Sequence, residues 1–168
     1  MEAALWQQIV FWVLSVGMVG AAVRVVTSRN VVHAALYLVV TLMGAAALYV
    51  FLFAEFVAWV QVLVYVGAIV VLMLFGLMLT RAPIGSSELD NNQRLLAAIS
   101  AGALFLVTSW IMIDAFRGKE ISFERSSGTT TESIGELIFA DYVLPFEVVS
   151  ILLLAALVGA VVIARRDR

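Results

Sequence analysis

The sequence predicts an all-α integral membrane protein, with five transmembrane helices in a single membrane domain over residues 1–168. Of its residues, 64% are hydrophobic and 13% are charged, and the mean hydropathy is +1.09. Soluble domains average about 45–50% apolar and about 25% charged residues. The apolar residues fall into five runs of about 20 residues, the length that a helix needs to cross a bilayer. These observations together indicate that lipid is the main solvent of the chain.

The five spans follow one another with mostly short connections. They are predicted at residues 5–23, 31–53, 56–79, 95–116 and 144–164. Residues 24–30 join the first two spans, and residues 54–55 make a tight turn before the third. Pro83 and Gly85 stop the third helix. The long connection, residues 117–143, is rich in Ser, Thr and Gly and is expected to be a solvated outer loop.

The distribution of positive charge predicts an N-out, C-in orientation. Basic residues concentrate on the inner side of membrane proteins. With the N-terminus outside, the inner segments carry Arg24, Arg29, Arg81, Arg94, Arg165, Arg166 and Arg168. The outer segments then carry only Arg117, Lys119 and Arg125. The net charge of −2 and the lack of a basic block do not suggest a nucleic-acid partner.

The third span is interrupted by residues that a plain anchor does not need. Gln61 and Tyr65 stand four positions apart on one helix face, and Gly76 falls on nearly the same face. Gly67 falls on another face. Eight of the 15 residues from 57 to 71 are β-branched, which mildly disfavours an α-helix. The segment is therefore a candidate for a π-bulge, with a plain glycine-packed helix as the alternative that these residues alone favour.

Glu147 is the main acidic candidate within a span. It follows Pro145 by two positions near the start of the fifth span. An acid in a helix's first turn is favoured by the helix dipole. Alternatively, it is a protonatable group or a partner contact within the membrane, where ionisable residues are usually functional. The sequence shows no nucleophile–base pair, phosphate loop or metal-ligand cluster, and it contains no cysteine for iron–sulfur ligation. No catalytic, cofactor-binding or metal residue is predicted.

Three segments resemble a known family. They are "NVVHAALYL" (residues 30–38), "FVAWVQVLVYVGAIVVLMLFGLML" (residues 56–79) and "YVLPFEVVSILLLAALVG" (residues 142–159). They are similar to subunit J of the proton-pumping NADH–quinone oxidoreductase, complex I, the counterpart of mitochondrial complex I subunit 6. The resemblance implies a five-span, N-out, non-redox subunit of an enzyme complex, without a catalytic centre of its own. The alternative is a membrane subunit of a multisubunit cation/proton antiporter.

The resemblance also implies roles for particular residues. In the family, the third span switches between a π-bulged and a regular helix and so couples quinone reduction to proton translocation. Tyr65 and Gly67 match the family's tyrosine and glycine there, and Gln61 and Gly76 complete the set of hinge candidates. Some relatives have a glutamate at the position of Gln61. Glu147 matches an acid at the start of the last span, in a proton path or a partner contact.

Cofactors, partners and location follow from the same resemblance. This chain is expected to bind no cofactor, while the parent complex uses FMN, iron–sulfur clusters and quinone. The expected partners are the quinone-site subunit, a small neighbouring membrane subunit, the antiporter-like subunits and the lipid bilayer. The expected location is the bacterial inner membrane.

Overall fold

The computed structural model describes residues 2–80, 93–118 and 130–165, and it is helical almost throughout, with no strand in these ranges. The helices are α1 (Glu2–Thr27), α2 (Val31–Phe51), α3 (Glu55–Val60), a π-helix (Gln61–Val70), α4 (Val71–Leu79), α5 (Arg94–Ala115), α6 (Thr131–Ala140) and α7 (Val143–Ala164). The segment formed by α3, the π-helix and α4 is continuous, and we refer to it as the third span.

Five helical segments in the described residues are long and apolar enough to cross a membrane. They are α1, α2, the third span, α5 and α7, which confirms the predicted fold class. The N-out, C-in orientation stays a prediction, and the predicted helix stop at Pro83 and Gly85 lies outside the described residues. α1 runs to Thr27, four residues beyond its predicted end, so the connection to α2 is shorter than the sequence indicated.

α1 and α2 form a closely packed helical hairpin. Asn30 caps α2, since its side-chain oxygen accepts a hydrogen bond of 3.0 Å from the backbone N–H of Val32. A Cβ atom added at Gly44 would lie 3.1 Å from Cβ of Met18. Glycine therefore lets the two backbones approach closely, which is the main source of helix–helix attraction in lipid.

A tight turn joins α2 to α3, slightly earlier than the predicted turn at residues 54–55. Phe53 has a φ of 60°, the left-handed conformation in which helices commonly end. The backbone N–H of Ala54 donates to the carbonyl oxygen of Tyr49 at 2.9 Å and closes the end of α2. The turn holds α3 against α2, and the π-helix and α4 continue along the same neighbour.

The C-terminal part is open by comparison. α5 contacts no other helix among those described, and α7 contacts α6 alone. α6 lies in the predicted solvated loop of residues 117–143, so that loop is partly helical. The side-chain oxygen of Thr130 accepts from the backbone N–H of Ser133 at 3.4 Å and caps α6. α6 also contacts α3 and so connects the two parts of the chain.

Candidate functional site

The candidate site is the ten-residue π-helix in the middle of the third span. In a π-helix the backbone N–H bonds to the carbonyl five residues earlier, so one turn holds more residues than an α-helical turn. The stretch includes four valines and one isoleucine, and their branched side chains crowd the preceding turn of an α-helix. The wider turn is located where the sequence is least suited to a regular α-helix.

The buried positions show how the π-helix changes the packed face. Gln61 and Val70 are buried, with 8% and 2% of their surface exposed. They are nine positions apart, which is about two and a half turns of an α-helix and would place them on opposite sides. In the structure both are buried, and α2 is the principal neighbour of this segment. The wider turns therefore carry Val70 onto the side that Gln61 occupies.

The same shift is visible along the whole third span. Ala58 and Gln61 are buried, and an uninterrupted α-helix would next bury positions near 65, 69 and 72. Those positions are exposed. After Gln61, the positions that are at least partly buried are Val62, Val66, Val70, Leu74 and Leu77. Val66, Val70 and Leu74 lie one or two residues later than the α-helical positions. The packed face beyond Gln61 is thus set by the π-helix and would differ if the segment were α-helical.

Gly67 lies inside the π-helix and is tightly placed. A Cβ atom added there would lie 3.3 Å from the carbonyl oxygen of Val62, five residues earlier. This distance is shorter than an ordinary van der Waals contact between carbon and oxygen, so a side chain would press on the backbone of the π-turn. By contrast, a Cβ atom added at Gly76 in α4 would meet nothing within 4 Å. Of these two hinge candidates, only Gly67 is constrained by the π geometry.

The four hinge candidates do not form one cluster. Gln61 faces the packed interior, whereas Tyr65 is 48% exposed and Gly76 is exposed. The α-helical spacing that placed Gln61, Tyr65 and Gly76 on one face does not apply across a π-helix. Tyr65 therefore leaves much of its surface outside the contacts among the described residues.

Glu147 is exposed and lies one turn inside α7. The helix begins at Val143 and its first turn contains no acid, so Glu147 lies just beyond the first turn, and its role stays a prediction. Pro145 allows the earlier start because the first N–H groups of a helix have no partner within it. Glu147 is far along the chain from the π-helix, and α7 contacts no part of the third span among the described residues.

The described residues contain no group of three or more His, Cys, Asp or Glu side chains able to hold a metal ion. Gln61 is the buried polar side chain in this part of the chain. Its amide can donate and accept hydrogen bonds but does not titrate as a carboxylic acid does. The site is thus suited to a change of helix geometry rather than to covalent chemistry. The sequence did not identify Val70 as buried, because residues of this span were assigned to faces with the α-helical period.

Comparison with known proteins identifies the family. The family model described as NADH-ubiquinone/plastoquinone oxidoreductase chain 6 matches residues 21–163. The F(420)H(2) dehydrogenase subunit J of Methanosarcina mazei is 39% identical over 94% of this chain and 90% of its own length. The NAD(P)H-quinone oxidoreductase chain 6 of a Synechocystis strain is 38% identical over 96% of this chain and 82% of its own. A chloroplastic subunit 6 from Physcomitrium patens is 35% identical over 96% and 85%.

The matched region contains the π-helix and nearly all of α7, and so covers every candidate site residue. These relatives give no support to the alternative of an antiporter subunit. The chain therefore belongs to the NADH-ubiquinone/plastoquinone oxidoreductase chain 6 family, and it is an integral membrane subunit of a quinone oxidoreductase complex of the complex I type.

Proposed function

We propose that this subunit couples quinone reduction in its parent complex to proton translocation through a change between π-helix and α-helix in the third span. The observation that carries the proposal is the ten-residue π-helix at Gln61–Val70. Conversion of the segment to an α-helix would move Gln61 and Val70 from the same side to opposite sides, and so rotate everything beyond it by about half a turn. The third span then has two distinct forms, and quinone reduction elsewhere in the complex can shift the equilibrium between them.

The packing of the third span supports two alternative arrangements. Val70 is buried in the π-helical form, while Ile69 is 49% exposed. In an uninterrupted α-helix, the spacing from Ala58 and Gln61 would instead bring Ile69 toward the packed side. Both are β-branched apolar residues, so the exchange keeps a similar surface against α2. The similarity of the two packed faces means that a modest input of free energy can shift the balance between the two forms.

Gly67 is proposed as the residue that keeps the π-turn accessible. The absence of a side chain removes the contact that a Cβ atom would make with the carbonyl oxygen of Val62. Tyr65, two residues earlier, is 48% exposed. We propose that this side chain reports the state of the helix to a neighbouring subunit, since a rotation of the turn would redirect it.

Glu147 is proposed to contact another subunit or a proton path. It is exposed on α7, and an ionised carboxylate facing hydrocarbon is costly. Its position one turn inside an apolar helix therefore calls for a polar partner or a water-filled cavity. The Oγ of Ser150 donates to the backbone carbonyl oxygen of Glu147 at 2.7 Å and leaves the carboxylate free for that contact.

The parent complex is proposed to contain FMN, iron–sulfur clusters and quinone on other subunits. This chain has no cysteine to ligate a cluster. Its proposed neighbours are the quinone-site subunit, a small membrane subunit and the antiporter-like subunits, and its proposed location is the bacterial inner membrane. The relatives' names refer to F(420)H(2) and to NAD(P)H, so the electron donor is the part of the assignment that varies among them.

The test replaces Gly67 by Val and, as a matched control, Gly76 by Val in the assembled complex. Both changes add the same side chain to the same span, but only the first meets the π-turn backbone. We expect Gly67→Val to lower donor-to-quinone turnover by about tenfold, equivalent to about 1.4 kcal/mol, with proton translocation lowered in parallel. Gly76→Val should stay close to wild type. Wild-type turnover and pumping in Gly67→Val, at equal complex content, would count against the proposal.

A further inference from the structure

A polar pocket lies where α1 turns into α2. Its volume is about 350 Å³, and its lining includes Arg24, Ser28, Arg29, Asn30, His33 and Tyr37. None of its lining residues is acidic, so within the described chain the pocket has two permanent positive charges and no opposing carboxylate. This charge balance favours an anionic ligand.

Arg24 is held at the wall of the pocket. Its guanidinium carbon lies 5.5 Å from the centroid of the Tyr37 ring, which is a cation–π contact. A guanidinium stacked on a ring keeps its in-plane N–H groups available for hydrogen bonds. Planar N–H donors of this kind suit the oxygens of a phosphate group. The Tyr37 ring therefore positions Arg24 without neutralising its charge.

The turn that carries Arg29 is also fixed in place. The Oδ1 of Asn30 accepts from the backbone N–H of Val32 at 3.0 Å, and the Oγ of Ser28 donates to the carbonyl oxygen of Asn30 at 3.2 Å. These local bonds shape the rim of the pocket before any ligand arrives. A preformed site loses less conformational entropy on binding than a flexible one.

The position of the pocket distinguishes a lipid from a free ion. It lies at the shared end of two helices long and apolar enough to cross a membrane, and a bilayer matched to their length would place its headgroups there. Immediately beside it along these helices, Val26 is 86% exposed and Leu36 is 52% exposed. A free phosphate would use only the polar pocket. A phospholipid would use both surfaces, the pocket for its phosphate and the apolar side chains for its acyl chains.

We propose that the α1–α2 pocket binds the phosphate of an anionic phospholipid, with Arg24 and Arg29 as the main cationic contacts. His33 and Ser28 line the same pocket and can add hydrogen bonds to the phosphate or glycerol oxygens. Basic pockets between membrane helices are suited to such headgroups. This inference is independent of the π-helix and of the coupling role proposed for it.

The test uses the intact parent complex in phosphatidylcholine nanodiscs that contain a few mole per cent of photoactivatable phosphatidylglycerol. Crosslinking is measured on the peptides that cover residues 23–37. The combined Arg24→Gln and Arg29→Gln changes should reduce it by about 25-fold, about fivefold for each arginine. Arg165→Gln, an exposed span-end arginine of α7 outside the pocket, should change it less than about twofold. Replacing both pocket arginines by Lys should retain most of the crosslinking.

A competition on the wild-type complex provides a measurement that does not depend on variant folding. Unlabelled phosphatidylglycerol should displace the photoactivatable lipid from residues 23–37, and unlabelled phosphatidylcholine should not. Equal crosslinking by a photoactivatable phosphatidylcholine would overturn the proposal. Displacement by millimolar inorganic phosphate alone would indicate a free-phosphate site, and crosslinks only to a neighbouring subunit would indicate a protein partner. Each of those outcomes also contradicts the lipid assignment.

Discussion

The N-terminal and C-terminal parts of this chain use similar helices in opposite ways. The third span and α7 are almost equally apolar, and both are long enough to cross a membrane. Yet the buried residues of the described chain all lie in the first part, on α1, α2 and the third span. No residue in the most apolar stretches of α5 or α7 is buried. Hydropathy therefore predicts that a helix spans, but not what it packs against.

The difference shows how contacts form in a solvent as apolar as the helices themselves. In lipid, association depends on close packing and polar contacts rather than on burying apolar surface. The close approach of Gly44 to Met18 provides such packing between α1 and α2. α5 and α7 carry small residues at the same four-residue spacing, such as Ala98/Gly102 and Ala155/Gly159. Among the described residues those surfaces contact nothing comparable, which fits a subunit whose second part packs on other subunits.

The largest expected difference between the two parts is in disulfide formation, which should occur between α1 and α2 but not between α5 and α7. The chain has no native cysteine, so Met18→Cys with Gly44→Cys can be oxidised without interference in the purified full chain. A Cβ atom at position 44 lies 3.1 Å from that of Met18, close to the separation that a disulfide requires. We expect nearly complete intramolecular disulfide, measured by gel mobility. Gly102→Cys with Gly159→Cys, on α5 and α7, should form none. Equal crosslinking of both pairs would show that α5 and α7 pack as closely as α1 and α2.

A second prediction concerns overpacking of the same interface. Gly44→Val places two methyl groups where the backbone of α1 already lies close. Forcing extra atoms into a packed interface costs about 1–3 kcal/mol, so the unfolding midpoint of the full chain in mild detergent should fall. Gly102→Val adds the same side chain to α5, where nothing lies within 4 Å. Its unfolding midpoint should not fall, because valine is no poorer a helix former than glycine. If Gly102→Val were as damaging, α5 would be packed in the isolated chain.

A smaller effect is expected from removing buried atoms. Val70→Ala removes two methyl groups from a position that is 2% exposed, whereas Val161→Ala removes them from a position on α7 that is 59% exposed. Lost dispersion contacts are the main cost in lipid, and we expect about 1 kcal/mol for Val70 and close to zero for Val161. Reversible unfolding in detergent measures both. A larger loss for Val161 would show that α7 is the better packed helix.

The smallest effect is expected at Glu147. Glu147→Gln keeps the shape of the side chain and removes its charge, and the described contacts of this chain do not depend on that charge. We expect the stability of the isolated full chain to be unchanged and the proton-pumping rate of the complex to fall by about twofold, ~0.4 kcal/mol. Proton uptake by reconstituted vesicles measures the rate. An unchanged rate and stoichiometry would remove Glu147 from the proposed proton path or partner contact.

Much of the fold could be predicted because lipid imposes simple rules on sequence. Span lengths follow from bilayer thickness, and the start of α2 follows from the capping residue Asn30. α6 was missed because a polar, Ser/Thr-rich loop masked a short helix. Its signals were present: Thr130 as a cap, Glu132 in the first turn, and apolar residues at helical spacing from Ile134. The loop assignment outweighed them.

The candidate site was only partly predictable. The β-branched residues and Gly67 indicated where a π-turn could form, but not that it would extend over ten residues. Which side chains it buries depends on accumulated rotation, so the burial of Val70 could not be read from α-helical spacing. The position of Glu147 within its helix depended on the start of α7, and proline is compatible with several positions in a first turn.

The short turn between α2 and α3 determines where a change of register would be transmitted. The left-handed residue Phe53 and the bond from Ala54 to Tyr49 attach the beginning of the third span directly to α2. α6 contacts α3 as well. The upstream end is therefore anchored at two places, so rotation generated at Gln61–Val70 would displace α4 relative to α3. Any mechanical output of this subunit should emerge at the far end of α4, near Thr80, on the opposite side of the membrane from the anchoring turn.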